Sequence, residues 1–268
     1  MKNSDLLAGM IDLALAAGDK IDEIYATDFE TETKADGSAV TQADRLAEDI
    51  INAGLKALAP AIPILAEEAA SQGDIPQLGE RFFLVDPLDG TREFVNRTGE
   101  FTVNIALIEN GRPVLGVVYA PGDARLYYGE VGVGAWRRSI APRSMLADAP
   151  APEKIEARRT DPACLVAVAS RSHRSAETEH FLESIGADEF TPAGSSLKFC
   201  LVAEGRADVY PRLGRTMEWD TGAGQAVLEA AGGGVFVLEK DAERGHLLYN
   251  KKERGFDNPH FVAWGRRE

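Results

Sequence analysis

Cysteine is scarce in this sequence. Only Cys164 and Cys200 occur in 268 residues, and both lie within apolar or mixed runs. Two thiols are too few for a disulfide framework or for a zinc site made of cysteines. We therefore expect both thiols to be buried and reduced, in a cytoplasmic setting.

Long apolar runs and positive charge are also in short supply. No run approaches the ~18 apolar residues needed to span a bilayer, and residues 1–5 have no signal-peptide pattern. With 43 acidic and 29 basic residues the net charge is −14, which argues against a general nucleic-acid or acidic-membrane surface. We expect no integral membrane segment and no nucleic-acid partner, although a local basic pocket for a small anion stays open.

The stretch at residues 82–94 is the most informative in the chain. Residues 82–85 are apolar and predict a short buried strand. Pro87 and Gly90 predict a sharp turn at the carboxyl end of that strand. Side chains carried by this turn would therefore meet at one edge of a sheet.

Two carboxylates, Asp86 and Asp89, stand three residues apart on this turn, with the carbonyl of Leu88 between them. An all-oxygen site of this kind suits a hard cation such as Mg²⁺. The backbone N–H groups of Gly90 and Thr91 can hold a phosphate oxygen. Two alternatives stay open: an ordinary turn, or a phosphatase with an aspartate nucleophile, although the two-residue spacing and the distance from the N-terminus count against the second.

Carboxylates occur at two other predicted element ends. A short strand at residues 62–66 ends in Glu67, and Asp220 stands at the start of a predicted helix that runs to residue 231. For Glu67 the alternative is a solvated acidic turn. For Asp220 it is a plain N-cap.

A hydroxyl and a carboxylate also occur together at the start of another predicted helix. The helix predicted after residue 40 begins at Thr41, and Asp44 follows three residues later. This spacing is also that of an N-terminal capping pair, which is the alternative interpretation.

The length of the chain allows one large domain or two intimate halves. An Asn-Gly turn predicts a hairpin within residues 101–120, and the Ala-, Pro- and charge-rich segment 141–162 is the predicted seam. We predict an N-terminal α+β half at residues 1–150 with most of the acidic candidates. A C-terminal α/β half at residues 151–268 carries Asp220, and both halves form one compact unit.

Taken together, the acidic candidates have a characteristic order and spacing along the chain. Glu67 follows one strand, residues 86–91 follow the next, and Trp-Asp-Thr-Gly-Ala-Gly at 219–224 opens a helix about 130 residues later. From Lys34 to its end the chain resembles the lithium-sensitive, Mg²⁺-dependent phosphomonoesterase superfamily that includes inositol monophosphatase. The resemblance implies an α+β fold, a layered α-β-α-β-α sandwich with mostly antiparallel sheets.

Within that superfamily the detail is similar to the bacterial 3'(2'),5'-bisphosphate nucleotidases. The likeness is carried by residues 91–97, 99–104, 194–200 and 203–212. Inositol phosphatases usually have Thr-Asn-Phe-Val-His where this chain has Arg-Glu-Phe-Val-Asn at 92–96. This departure favours the nucleotidase.

The resemblance implies a role for each acidic candidate. Two Mg²⁺ ions, with a third looser ion at Glu67 and water, would be held by Glu67, Asp86, the carbonyl of Leu88, Asp89 and Asp220. Water would be activated by Asp44, Thr91 and Glu67. The substrate contacts implied at this end of the site are Leu88, Asp89, Gly90, Thr91 and Asp220.

The second phosphate and the adenosine need other groups. We expect Arg171, His173, Ser196, Lys198 and Arg212, at strand ends or helix starts of the second half, to surround the nucleotide. Lys198 lies in the first turn of a predicted helix, where a cation indicates a nearby anion. The alternatives are a surface lysine and, for His173, an exposed loop histidine.

The activity implied is Mg²⁺-dependent hydrolysis of adenosine 3',5'-bisphosphate to AMP and phosphate, which clears a by-product of sulfate assimilation. An inositol monophosphatase or sugar bisphosphatase with the same metal site is the near alternative. A non-catalytic phosphometabolite-binding protein is the remote one. The resemblance is compatible with a monomer or a homodimer, and with a peripheral position at the inner membrane.

Overall fold

The computed structural model describes residues 1–33, 39–169, 175–240 and 242–267. The helices there are α1 (Asn3–Tyr25), α2 (Gln42–Leu58), α3 (Glu67–Ser71), α4 (Thr91–Val95), α5 (Ala176–Ile185), α6 (Leu197–Ala203) and α7 (Gly222–Ala230). The strands are β1 (Thr31–Thr33), β2 (Ala39–Thr41), β3 (Ile64–Ala66), β4 (Arg81–Asp89), β5 (Thr102–Glu109), β6 (Arg112–Ala120), β7 (Arg125–Glu130), β8 (Gly134–Ser139), β9 (Glu153–Ile155), β10 (Val166–Ala169), β11 (Glu189–Pro192), β12 (Val209–Arg212), β13 (Gly234–Glu239), β14 (Ala242–His246) and β15 (Phe261–Trp264).

The first large sheet has the order β3-β4-β5-β6-β7-β8-β9. Only β3 and β4 run parallel, and the other neighbours are antiparallel. The predicted hairpin is confirmed, because Asn110 and Gly111 join β5 to β6 with φ angles of 51° and 74°, as a two-residue turn of this type requires. β9 lies inside the segment 141–162, so part of the predicted seam belongs to this sheet.

The second large sheet has the order β11-β10-β12-β15-β13-β14. β10 is parallel to β11 and β12, and the remaining pairs are antiparallel. β14 was not expected from the sequence, because its residues are polar and exposed and show no apolar alternation. It forms as the hairpin partner of β13.

The helices form three layers around these two sheets. α1 and α2 cover the outer face of the first sheet, α6 and α7 lie between the sheets, and α5 packs on the outer face of the second sheet. The predicted layered α-β-α-β-α sandwich with mostly antiparallel sheets is therefore confirmed.

β4 is buried on both faces because helices cover both. Phe83 and Val85 pack in the core under α1 and α2, whereas Phe82 and Leu84 pack in the core of the middle layer. This is the period-two alternation of a strand. Asp86 continues the series of Phe82 and Leu84, so its carboxylate faces the middle layer.

The middle layer lies unusually close to the first sheet at Gly116 of β6. A Cβ there would stand 2.4 Å from the carbonyl oxygen of Ala223 in α7, a distance that no side chain tolerates. Small residues on both surfaces thus bring α7 against the sheet. The residues just before α7 reach the end of β4 as a result.

One expectation about local structure in this region was wrong. Pro87 does not lie in a turn: β4 continues to Asp89, and its pairing with β5 shifts between Asp86 and Asp89. Such a bulge accepts a proline, which has no N–H to give to the ladder. The predicted turn is confirmed only at Gly90, which has a φ of +97°.

The two cysteines differ in their surroundings. Cys200 is buried, as expected, but Cys164 is exposed, because it follows a turn before β10 rather than lying in the strand. Both thiols are free. Among the described residues, no helix is long and apolar enough to cross a membrane.

Candidate active site

The carboxyl end of β4 carries the first part of the site. Asp86 is buried, and its carboxylate accepts the backbone N–H of Leu88 over 3.0 Å. This bond closes the bulge around Pro87 and turns the following residues. Asp89 ends the strand beside Gly90, whose left-handed conformation starts α4. The two aspartates therefore lie together at this corner of the sheet, although the predicted turn begins only at Gly90.

The hydroxyl of Thr91 donates to the carboxylate of Asp44 over 3.0 Å. The other oxygen of Asp44 accepts the backbone N–H and the hydroxyl of Thr41, each at 2.7 Å. The Thr41 hydroxyl in turn accepts the N–H of Ala43. Asp44 closes a capping box at the start of α2, as the alternative interpretation has it, and it also binds Thr91.

Glu67 reaches the same corner from β3. β3 and β4 are parallel neighbours, so their carboxyl ends meet at one edge of the sheet. The side chains of Glu67 and Asp86 are within hydrogen-bonding reach of each other. The segment is not the solvated acidic turn of the alternative interpretation, because Glu67 begins the short helix α3 and Glu68 is buried.

Asp220 arrives from the second half of the chain. Its carboxylate accepts the backbone N–H of Met217 over 2.8 Å, and its own carbonyl accepts the hydroxyl of Ser196 over 2.8 Å. It is not the N-cap of α7, because Thr221 occupies that position. The carboxylate is instead available to the site.

The aspartates of this corner are buried or half-buried, and their negative charges repel one another. Burial, and then the charges of Glu67 and the other aspartates, raise the pKa values of Asp86 and Asp220 well above the usual range. Burial raises the pKa of Asp89 to about 6, although Lys198 opposes this shift. Carboxylates that disfavour one another's ionisation define a place where positive charge is favourable.

The donor set fits a hard divalent cation. It consists of carboxylate oxygens and the carbonyl of Leu88, which are the ligands of Mg²⁺. Within the described ranges, no three acidic, histidine or cysteine side chains are grouped closely enough to enclose an ion as they stand. A cation would therefore bind with rotation of some of these carboxylates.

A cavity of about 140 Å³ joins the acidic corner to the second half of the chain. Its lining includes Asp89, Gly90 and Asp220 together with Lys198 and Arg212. Acidic and basic groups thus line one space that is open to solvent.

Lys198 is the buried cation of this cavity. It is 7% exposed, and its ammonium lies 5.5 Å from the ring centre of Tyr210. Burial lowers the pKa of Lys198 to about 8, while the charge of Asp89 raises it. A lysine buried beside a cavity is typical of anion binding, so the surface-lysine alternative is wrong.

The other predicted nucleotide residues divide into two groups. Arg212 lines the cavity, and Ser196 supports Asp220 with its hydroxyl while its backbone N–H reaches the carboxylate of Asp89. Arg171 and His173 lie outside the described residues.

Two polar residues near the site were not identified from the sequence. Ser195 has a φ of +47° and lines the cavity, and nothing in its spacing indicated this. Glu48 is buried on α2. An acidic residue on the apolar face of a predicted helix, one turn after Asp44, was a usable signal for it.

The fold and the acidic residues at the end of β4 fit a metal-dependent phosphomonoesterase. A sequence model described as "Inositol monophosphatase family" matches residues 2–259. The chain belongs to the inositol monophosphatase family.

Individual relatives are similar over almost their whole length. The protein named "3'(2'),5'-bisphosphate nucleotidase CysQ" of Salmonella typhimurium is 45% identical over 258 residues, which cover 96% of this chain and 98% of that one. Its namesake in Escherichia coli K12 is 44% identical with the same coverage. The crystal structure of CysQ from Bacteroides thetaiotaomicron has a TM-score of 0.79 at 39% identity, and covers 98% of this chain and 97% of that one. The IMPase of Thermotoga maritima has a TM-score of 0.73 at 26% identity, with coverages of 97% and 92%.

Proposed function

We propose that this protein hydrolyses adenosine 3',5'-bisphosphate to AMP and phosphate. The observation that carries the proposal is the cavity, which is lined by carboxylates and also by Lys198 and Arg212. A substrate with two phosphates matches this combination, since one phosphate would lie at the metal site and the other at the two cations. The nucleotidase relatives support the same activity and confirm the enzyme class predicted from the sequence.

In this proposal the carboxylates serve as metal ligands. Glu67, Asp86, the carbonyl of Leu88, Asp89 and Asp220 would hold two Mg²⁺ ions, with a third, looser ion at Glu67. When bound, such ions neutralise the phosphate, lower the pKa of the attacking water and stabilise the leaving oxygen. The buried, mutually repelling carboxylates are the reason to expect them here.

Water activation falls to Thr91 and Asp44. The Thr91 hydroxyl donates its proton to Asp44, so its lone pairs remain to accept a proton from a water on the substrate side. Burial raises the pKa of Asp44, although hydrogen bonds from Thr41 and Thr91 lower it. A carboxylate with a raised pKa is a better final acceptor for that proton. Glu67 would hold the same water from its other side.

The reacting phosphate would lie against the start of α4. The left-handed Gly90 turns the chain so that the backbone N–H groups of Gly90 and Thr91 follow the corner of β4. Two successive backbone N–H groups of this kind suit a phosphate oxygen. Positioning of this sort is a large part of phosphoryl-transfer catalysis.

The other end of the substrate would be recognised by the second half. Lys198 is a buried point charge for the 5'-phosphate, and Arg212 can contact phosphate or ribose from β12. Ser196 donates its hydroxyl to the carbonyl of Asp220, which lines the same cavity. His173 remains a predicted nucleotide contact.

The deciding experiment compares two substrates at equal Mg²⁺. We expect kcat/KM for adenosine 3',5'-bisphosphate to exceed that for inositol 1-phosphate by at least about 100-fold, since a second charged anchor in the cavity contributes about 3 kcal/mol. A preference for inositol 1-phosphate would show the nucleotidase proposal to be wrong. Chelation by EDTA and restoration by Mg²⁺ serve as the control for metal dependence.

A further inference from the structure

Glu48 is a buried carboxylate that has no part in the reaction proposed above. It lies on α2 one turn after Asp44, and the two residues are 5% and 1% exposed. Its carboxylate accepts the backbone N–H of Glu68 over 2.7 Å and that of Ala69 over 2.9 Å. A charged side chain therefore binds the beginning of α3.

These two N–H groups are first-turn donors, which have no partner inside their own helix. The residue before α3, Ala66, offers no side-chain cap. Glu48 supplies the missing acceptor from 20 residues away in sequence. Because α3 begins at Glu67, the bonds to Glu68 and Ala69 fix the backbone from which the Glu67 side chain extends.

Helix α2 also carries Asp44, the partner of Thr91 in the proposed activation of water. Asp44 binds the Thr91 hydroxyl, and Glu48 binds α3 about 6 Å further along the axis of α2. α2 is held rigidly by its capping box and by its packing on α1 and β4. One face of one helix thus positions both Thr91 and Glu67.

We propose that Glu48 is a positioning residue that sets the place of Glu67 relative to Thr91. The inference rests on the proposed function, in which these two residues hold the attacking water. It predicts that Glu48 affects metal binding at Glu67 and the rate of the chemical step, and has little effect on nucleotide affinity.

The test is Glu48→Gln. The amide keeps one acceptor oxygen but turns an NH₂ group toward a backbone N–H, so the first turn of α3 loses a partner. We expect kcat to fall about 10–100-fold and Mn²⁺ affinity, measured by calorimetry without substrate, to fall by a similar factor. KM for the bisphosphate should change by less than about threefold, since Lys198 and Arg212 are untouched.

The matched control is Glu204→Gln. Glu204 is another buried carboxylate, bound to Arg137 and to the hydroxyl of Tyr127, and it lines no part of the cavity. The Glu204→Gln variant should lower Tm about as much as Glu48→Gln does. Its kcat and Mn²⁺ affinity should stay within about twofold of the wild-type values. If Glu48→Gln lowers only Tm, as this control does, Glu48 is merely structural and the inference is wrong.

The two proposals fail in different ways. If the wild-type enzyme does not hydrolyse the bisphosphate, the proposed function fails, but the Mn²⁺ calorimetry still tests Glu48. If turnover is normal in the wild type and Glu48→Gln retains both kcat and Mn²⁺ affinity, only the positioning role fails.

Discussion

The hydroxyl of Ser195 donates to the carbonyl oxygen of Asp89 over 2.8 Å, and these residues are 106 positions apart. The carbonyl of Glu100 offers a second acceptor at 3.0 Å. Ser195 takes a φ of +47° to do this, a conformation that costs a residue with a side chain about 1–2 kcal/mol. The loop before α6, which precedes Lys198, is thereby tied to the end of β4.

Removal of this hydroxyl should weaken both stability and turnover. Ser195→Ala loses a part-buried hydrogen bond, which contributes about 1 kcal/mol, and leaves the left-handed strain in place. Ser195→Gly loses the same bond but relieves the strain, so it should unfold at no lower denaturant concentration than Ser195→Ala. Urea titrations and kcat for both variants are the measurement. A wild-type kcat in both would mean that the tie has no role in the site.

Gly90→Ala should abolish most of the activity. Its φ is +97°, and an added Cβ would stand 2.4 Å from the Ser195 hydroxyl oxygen and 3.0 Å from the Glu100 carbonyl oxygen. Gly73→Ala is the matched control, because φ there is +87° with nothing within 4 Å. Both should lose about 1 kcal/mol or more of unfolding free energy from the left-handed backbone. Only Gly90→Ala should lower kcat, and equal kcat values for the two would contradict the crowding argument.

Thr91→Val tests the hydroxyl that binds Asp44. Valine keeps the shape but cannot accept or pass a proton, so kcat should fall about 10²–10⁴-fold with little change in KM. Thr91→Ser keeps the hydroxyl and should recover most of the rate. Steady-state kinetics at saturating Mg²⁺ distinguish the two. A valine variant as active as the serine variant would exclude Thr91 from the proton path.

Asp89→Asn tests the assignment of metal ligands. Turnover should fall at least about 100-fold, since a ligand charge is lost. The metal-free variant should be at least as stable as the wild type, because burial and the charges of Glu67 and Glu93 disfavour the ionised form of Asp89 by more than Lys198 favours it, and that charge is removed. Thermal unfolding with and without Mg²⁺ checks this, and the stabilisation by Mg²⁺ should shrink. Retained activity would overturn the proposed two-metal site.

Lys198→Met should separate the two ends of the substrate. Methionine fills the buried volume without the charge, so kcat/KM for adenosine 3',5'-bisphosphate should fall about 10–100-fold, as expected for one charge-assisted bond of 1.5–3 kcal/mol. Adenosine 3'-monophosphate lacks the 5'-phosphate and serves as the control substrate. Its kcat/KM should be nearly unchanged. An equal loss on both substrates would place Lys198 at the reacting phosphate instead.

The acidic residues of the site could be found from the sequence because each stands at the end of an element. A strand that ends in a carboxylate is visible as a change from apolar to charged residues, as at Glu67 and Asp86. The order and spacing of these changes indicated the family as well. Ser195 escaped because its role depends on a partner 106 positions away, which no local pattern reveals. Glu48 left a local signal on the apolar face of its helix, but its partner 20 positions away came only from the structure.

The sequence by itself indicated the class of enzyme and the layered fold, because the order and spacing of its motifs resemble those of a known family. It also indicated the candidate carboxylates, since each stands at the end of a predicted element. Only the tertiary structure decided that Pro87 lies in a bulged strand, that Lys198 is buried against the cavity and that Asp44 caps α2 while binding Thr91. The reason is physical: periodicity is a local property of the chain, whereas burial and hydrogen bonding between distant residues arise when the two sheets close on the middle layer of helices.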